Sequence, residues 1–143
     1  MRILLAIVGI CVLCTAGTPA ESVLDDKAAW REACKVSGYS CAWISPPQVV
    51  LAPIGALLGR YKMGDKYILV NESVSGSLAY AVRVHEMTHV LQWKHKKWDF
   101  TKAGSCKNEH EAFEVSNTVL KRLGNYRDVV DWDKMRVVYG CPL

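Results

Sequence analysis

The stretch His85-Glu86-Met87-Thr88-His89 is the part of the chain whose residue types and spacing point most directly to chemistry. Two histidines four residues apart lie one turn above one another on the same face of a helix, so both imidazoles can grip one metal ion. Glu86 then stands beside the ion without ligating it. There a carboxylate can take a proton from an activated water, which is the general-base position. At ordinary residue frequencies a chain of 143 residues shows this pattern by chance roughly once in a few hundred sequences. Its surroundings sharpen the odds, because Leu78, Ala79, Ala81, Val82, Val84, Met87, Val90, Leu91 and Trp93 surround it on almost every side. A helix apolar all round belongs in the interior, where two imidazoles and a carboxylate are costly unless satisfied.

A metal held by two histidines needs a third protein ligand, with a fourth position left to water at a catalytic site. Downstream stand Glu109, His110, Glu111 and Glu114. Helical steps of three and four from Glu109 reach Ala112, Phe113, Ser116, Leu120 and Leu123, an inward stripe; from Glu111 and Glu114 they reach Val115, Thr118 and Arg122, a mostly polar face. Glu109 is therefore the expected third ligand, and Ala112 lets its helix approach the histidine helix closely. His95 matches the third-histidine spacing of an HExxHxxGxxH pattern. Gln92, however, stands where that pattern has the glycine that lets the chain leave the helix. His95 is accordingly expected past the helix end, in solvent. His110 lies about 100° round from Glu109 and reads either as a boundary residue or as an oxyanion stabiliser. Tyr126 and Tyr139 of the tail are the other oxyanion candidates, and nothing in the sequence chooses between them.

With HEMTH followed by Glu109-His110-Glu111-Ala112, the chain resembles the gluzincin class of zinc peptidases, in which a Glu on a downstream ExxA-type helix completes HExxH. The resemblance implies a small zincin-like α+β domain, one Zn2+ held by His85, His89 and Glu109, and peptide-bond hydrolysis with Glu86 as general base. It also implies that the strand Tyr67 to Asn71 edges the cleft and pairs with an extended substrate. Phe113 departs from the pattern, since many members carry Asp or Asn four residues after the ligand Glu to orient a histidine.

The elements that must position these residues follow from periodicity and punctuation. Asp25 to Val36 reads as an amphipathic helix with Gly38 just beyond it. Strands are expected at Gln48 to Ala52, Leu57 to Met63 and Lys66 to Asn71, the last two forming a hairpin about Gly64-Asp65. The motif helix spans about Ser75 to Lys94 and the ligand helix about Cys106 to Leu123, with Gly124 as its stop. The expected fold is α+β, a short antiparallel sheet packed on the motif helix, with the tail to Leu143 wrapping the core.

Residues 1–20 read as a secretory signal peptide: Met1-Arg2, an apolar run from Ile3 to Leu13, then small residues up to Ala20. Residues 21–143 then form one domain, exported to the periplasm or the extracellular space, without a stable membrane anchor after cleavage. Cys34, Cys41, Cys106 and Cys141 remain, an even number that in an exported protein reads as a disulfide framework. The expected pairs are Cys34 with Cys41, whose loop turns at Gly38, and Cys106 with Cys141, which ties the tail to a helix start. The net charge of +4 is spread along the chain, and its densest cluster, Lys94-His95-Lys96-Lys97, sits where it complements a helix end. No nucleic-acid partner is expected. The expected partner of a monomer is a peptide or protein substrate, or cell-envelope material such as a peptidoglycan peptide; the contrasting reading is a zinc-stabilised binding module without catalysis. Asn71-Glu72-Ser73 also matches an N-glycosylation acceptor, relevant only in a eukaryotic chain.

Overall fold

A computed structural model describes residues 25–142, so the expected leader, residues 1–20, lies outside the described residues. Along the chain run α1 (Asp26–Ser37), β1 (Gln48–Ala52), β2 (Gly59–Arg60), β3 (Tyr67–Asn71), α2 (Gly76–Lys94), α3 (Lys102–Arg122) and α4 (Trp132–Val138). The architecture is α+β.

The motif helix α2 is the centre of the molecule. Of its residues 79–92 only Arg83 escapes full burial. It packs most extensively on α3 and α1 and carries the sheet on another side. Between them these elements build one core, in which Ala29 and Ala33 of α1, Ile68 and Val70 of β3, Val84, Met87 and Leu91 of α2 and Val119 of α3 are all fully buried. Ala112, also fully buried, supplies the small surface at which α3 meets its neighbour. Helix ends obey local chemistry: the Asp25 side chain accepts from the Ala28 N–H at 2.6 Å, and Thr101 accepts from the Gly104 N–H at 3.0 Å. The Thr101 cap starts α3 at Lys102, one turn before the expected Cys106. Gly124, with φ of 74°, takes the left-handed conformation that lets the chain leave α3, as its position in the sequence suggests.

The sheet departs from expectation. Its strand order is β1-β3-β2, with β1 parallel to β3 from Gln48 opposite Tyr67 to Ala52 opposite Asn71, and β2 antiparallel to β3. It is mixed, not antiparallel, because the chain after β1 crosses over to lay β2 first and then inserts β3 between the two. The strand whose Ile68 and Val70 are fully buried thus gains a partner on each edge. The expected Leu57 to Met63 strand shrinks to Gly59–Arg60. Before it, the Leu57 and Gly55 carbonyls accept from the Asn71 side-chain amide at 2.8 and 3.0 Å, in place of a ladder. After it, the Lys62 carbonyl accepts from the Asp65 N–H at 3.0 Å, closing a turn about Gly64. Asn71 is 6% exposed and its amide is engaged in these bonds. Both expected disulfides are present, Cys34–Cys41 and Cys106–Cys141. No helix among the described residues is long and apolar enough to cross a membrane.

Candidate metal centre

Helix α2 delivers His85 and His89 to one face, as the four-residue spacing demands, and α3 brings Glu109 up against them. The two Nε2 atoms are 3.2 Å apart. Glu109 lies 3.4 Å from each ring, one carboxylate oxygen to His85 Nε2 and the other to His89 Nε2. The three side chains form a group able to hold a metal ion, with ligand atoms all within 4.8 Å of one another.

The orientation of His89 is set by a chain of hydrogen bonds that the sequence reading missed. Gln92, fully buried, accepts from His89 Nδ1 through Oε1 at 2.8 Å and donates through Nε2 to the Asn108 carbonyl at 3.0 Å and to Glu111 Oε2 at 2.8 Å. The Tyr39 hydroxyl donates to the same Glu111 oxygen at 3.0 Å. A side-chain amide oxygen can only accept, so Nδ1 carries the proton and, in the neutral ring, Nε2 turns a lone pair toward Glu109 and His85. This is the second support that ligating histidines ordinarily have. Glu111, expected on a polar outer face, instead belongs to this interior network, because the face running from it to Val115 is packed inward. A signal for Gln92 was available: a polar side chain three residues after His89, inside a helix apolar on all sides. Phe113, where a histidine-orienting acid was expected from the resemblance, packs its ring on His85 with centroids 4.5 Å apart.

The electrostatics are those of a charge-dense buried cluster. Burial opposes ionisation of His89, yet the hydrogen bond and charge of Glu109 outweigh it and push the ring up to about 9. Burial likewise works against the Glu109 carboxylate, but the two histidines hold it well below the usual carboxylate range. Without a cation, Glu109 draws a proton onto His89; a cation replaces that proton.

Glu86 does not join the group. It is 6% exposed and lies beneath β2, so close that a Cβ placed on Gly59 would fall 2.6 Å from its Oε1 and 2.7 Å from Val82 Cγ1. Only glycine lets the edge strand pass over this carboxylate. Burial pushes the Glu86 carboxyl up, with the two histidines working against that shift and Glu109 adding to it. The strand beside the centre is therefore β2; the expected Tyr67 to Asn71 strand is the middle one and presents no free edge.

Among the oxyanion candidates, Tyr139 lines the same cavity as His85 and Glu86. Burial, together with the Glu109 and Glu86 charges and a polar contact with Glu109, pushes its hydroxyl up to about 12. Tyr126 is 70% exposed and does not line that cavity. His110 stacks flat on Trp132 with centroids 4.8 Å apart and sits 3.5 Å from Glu114, so it ties α4 to α3 and does not face the metal group. His95 lies outside the group as well. It is not simply solvated: its Nε2 meets the Ser40 carbonyl at 2.7 Å and its ring stacks on Tyr39 at 5.2 Å.

Comparison of the chain with protein-family models, with curated proteins and with solved structures finds no match.

Proposed function

We propose that the protein is an exported zinc-dependent metallopeptidase in which His85, His89 and Glu109 hold the ion and Glu86 is the general base. The observation that carries this reading is the position of Glu86: buried beside the ligand group yet outside it, roofed by an edge strand and opening on a cavity. A purely structural metal site has no use for a fourth, unligated acid kept there at the cost of burial.

The donor set fits zinc. Bonds of about 2.0–2.2 Å in a tetrahedral site would put neighbouring ligand atoms about 3.3–3.6 Å apart; the two Nε2 atoms are 3.2 Å apart and each lies 3.4 Å from a different oxygen of Glu109. When bound, zinc supplies a Lewis acid that polarises a carbonyl and brings the pKa of water down to about 7. Glu86, its carboxyl raised by burial, accepts the proton of the attacking water and passes it to the leaving amine. Tyr139 donates to the oxyanion that forms on the substrate. The outer edge of β2, which Gly59 lets lie close against Glu86, offers main-chain groups to an extended peptide. Two disulfides agree with maturation in an oxidising compartment, as export through a leader would provide.

The test is Glu86→Gln. The variant should bind as much zinc as the wild type and cleave neither casein nor peptidoglycan peptides, whereas Glu109→Ala should lose the zinc. Full activity in Glu86→Gln overturns the mechanism. A wild-type protein that holds zinc and cuts neither substrate is a binding module, and one that cuts only peptidoglycan peptides is an envelope hydrolase using the same chemistry.

A further inference from the structure

The chain of hydrogen bonds that starts at His89 and passes through Gln92 and Glu111 ends on Tyr39, outside both ligand helices. The chain leaves α1 at Gly38, whose φ of 76° turns it back, and the stretch that follows is closed into a short loop by Cys34–Cys41. Tyr39 and Ser40 sit on that loop and touch both helices that carry the ligands. The Tyr39 ring stacks on His95 at the end of α2 with centroids 5.2 Å apart, and the Ser40 carbonyl meets His95 Nε2 at 2.7 Å. The Tyr39 hydroxyl reaches α3, donating to Glu111 Oε2 at 3.0 Å. Burial, and then the Glu111 charge, pushes that hydroxyl up to about 12, so it keeps the proton it donates.

The effect of Glu111 follows from the two ends of an amide. Turned by 180°, the Gln92 side chain would point its N–H at His89 Nδ1 and set its oxygen against the Asn108 carbonyl and the Glu111 carboxylate. An N–H facing Nδ1 would move the proton of the neutral His89 ring to Nε2, the atom that has to face a metal. Glu111 opposes that flip, because its charged oxygen attracts the amide N–H and repels the amide oxygen. Glu111 is itself only partly buried, and besides Gln92 it is Tyr39 that holds the accepting oxygen in place.

We propose that Tyr39 is a positioning residue for the metal centre, acting through Glu111 and Gln92 on the tautomer of His89, and that Cys34–Cys41 holds the loop that presents it. Metal is then held tightly only when that crosslink is closed. The inference rests on His85, His89 and Glu109 holding a metal ion and is independent of the reaction performed there.

The experiment is a zinc competition titration of the folded protein and its variants, with a melting temperature for each. Tyr39→Phe keeps the ring on His95 and removes only the donor. It should weaken zinc binding roughly ten-fold, and Glu111→Ala should weaken it by about 10–100-fold. Glu111→Gln keeps an oxygen that both donors can share, so it should recover most of that loss. Cys34→Ser with Cys41→Ser should match Tyr39→Phe, and all three changes together should bind no more weakly than either alone, because both act through one contact. Cys106→Ser with Cys141→Ser should leave the affinity unchanged. Unchanged affinity in Tyr39→Phe, effects that multiply when combined, or an equal loss in the Cys106 and Cys141 pair overturns the proposal. A wild type that takes up no zinc ends the metal reading, and the positioning role is then judged by NMR of the metal-free protein. A His89 Nδ1 proton that exchanges slowly in the wild type and faster in Tyr39→Phe upholds that role; equal exchange overturns it.

Discussion

The walls of the candidate site are made in two different ways. Helix α2 is buried almost throughout and places His85, Glu86 and His89 between two other helices and a sheet. The opposite side, α4 and the described residues after it, has no fully buried residue; Val137 and Val138 are 69% and 79% exposed. That strap is held by the Cys106–Cys141 disulfide, by Lys102 bonding the Tyr139 carbonyl, and by Trp132 stacked on His110. The metal ligands and the base thus sit on rigid secondary structure, while Tyr139 and part of the cavity wall sit on a segment that contributes little burial. A helix buried on all sides tolerates few changes; a strap tied at a few points can change its cavity-facing residues without disturbing the ligands.

Changes on the two sides should therefore separate. Tyr139→Phe removes the proposed oxyanion donor and is expected to lower kcat by about 10²–10³-fold, with zinc content and melting temperature as in the wild type. A loss of zinc would show instead that the strap belongs to the metal site. Gln92→Leu acts on the other wall. It should weaken zinc binding by about 10–100-fold, because His89 loses the partner that fixes its ring, and should lower the melting temperature as well. Unchanged affinity in a zinc competition titration would mean that packing alone orients His89.

The two regions also differed in how far the sequence disclosed them. The motif helix was legible because its apolar pattern, beginning near Ser75, had a single reading, and Glu109 followed from helical stepping onto the same buried stripe as Ala112. The reach of Glu111 was not legible: stepping placed it on an outer face, whereas the partner that draws it in, Gln92, lies 19 residues away and meets it only once α2 and α3 pack. The sheet order was hidden for a similar reason. Adjacent strands about Gly64-Asp65 do pair, as local turn chemistry suggests, but no local feature announces that Tyr67–Asn71 slots between β1 and β2. Two short spacings, Gly59 against Glu86 and Phe113 against His85, likewise arise from tertiary approach and carry no periodic signal.

The smallest effect on global stability is expected where crosslink arithmetic alone would put a large one. Removing a disulfide that closes a 35-residue separation frees loop entropy in the unfolded chain worth about 4 kcal/mol in the chain-entropy model. That figure assumes that the native segment stays docked once the bond is gone. Here α4 buries no residue fully, so in the paired change Cys106→Ser with Cys141→Ser the strap can leave the surface while α1, α2, α3 and the sheet stay folded. The folded state then gains part of the same entropy, and the loss seen by urea unfolding should be about half that figure or less. Zinc content should not change, and turnover should fall by less than in Tyr139→Phe, because Tyr139 still reaches the site for part of the time. A loss of the full ~4 kcal/mol would mean that the strap is as firmly built in as the helices, and the contrast between the two walls would collapse.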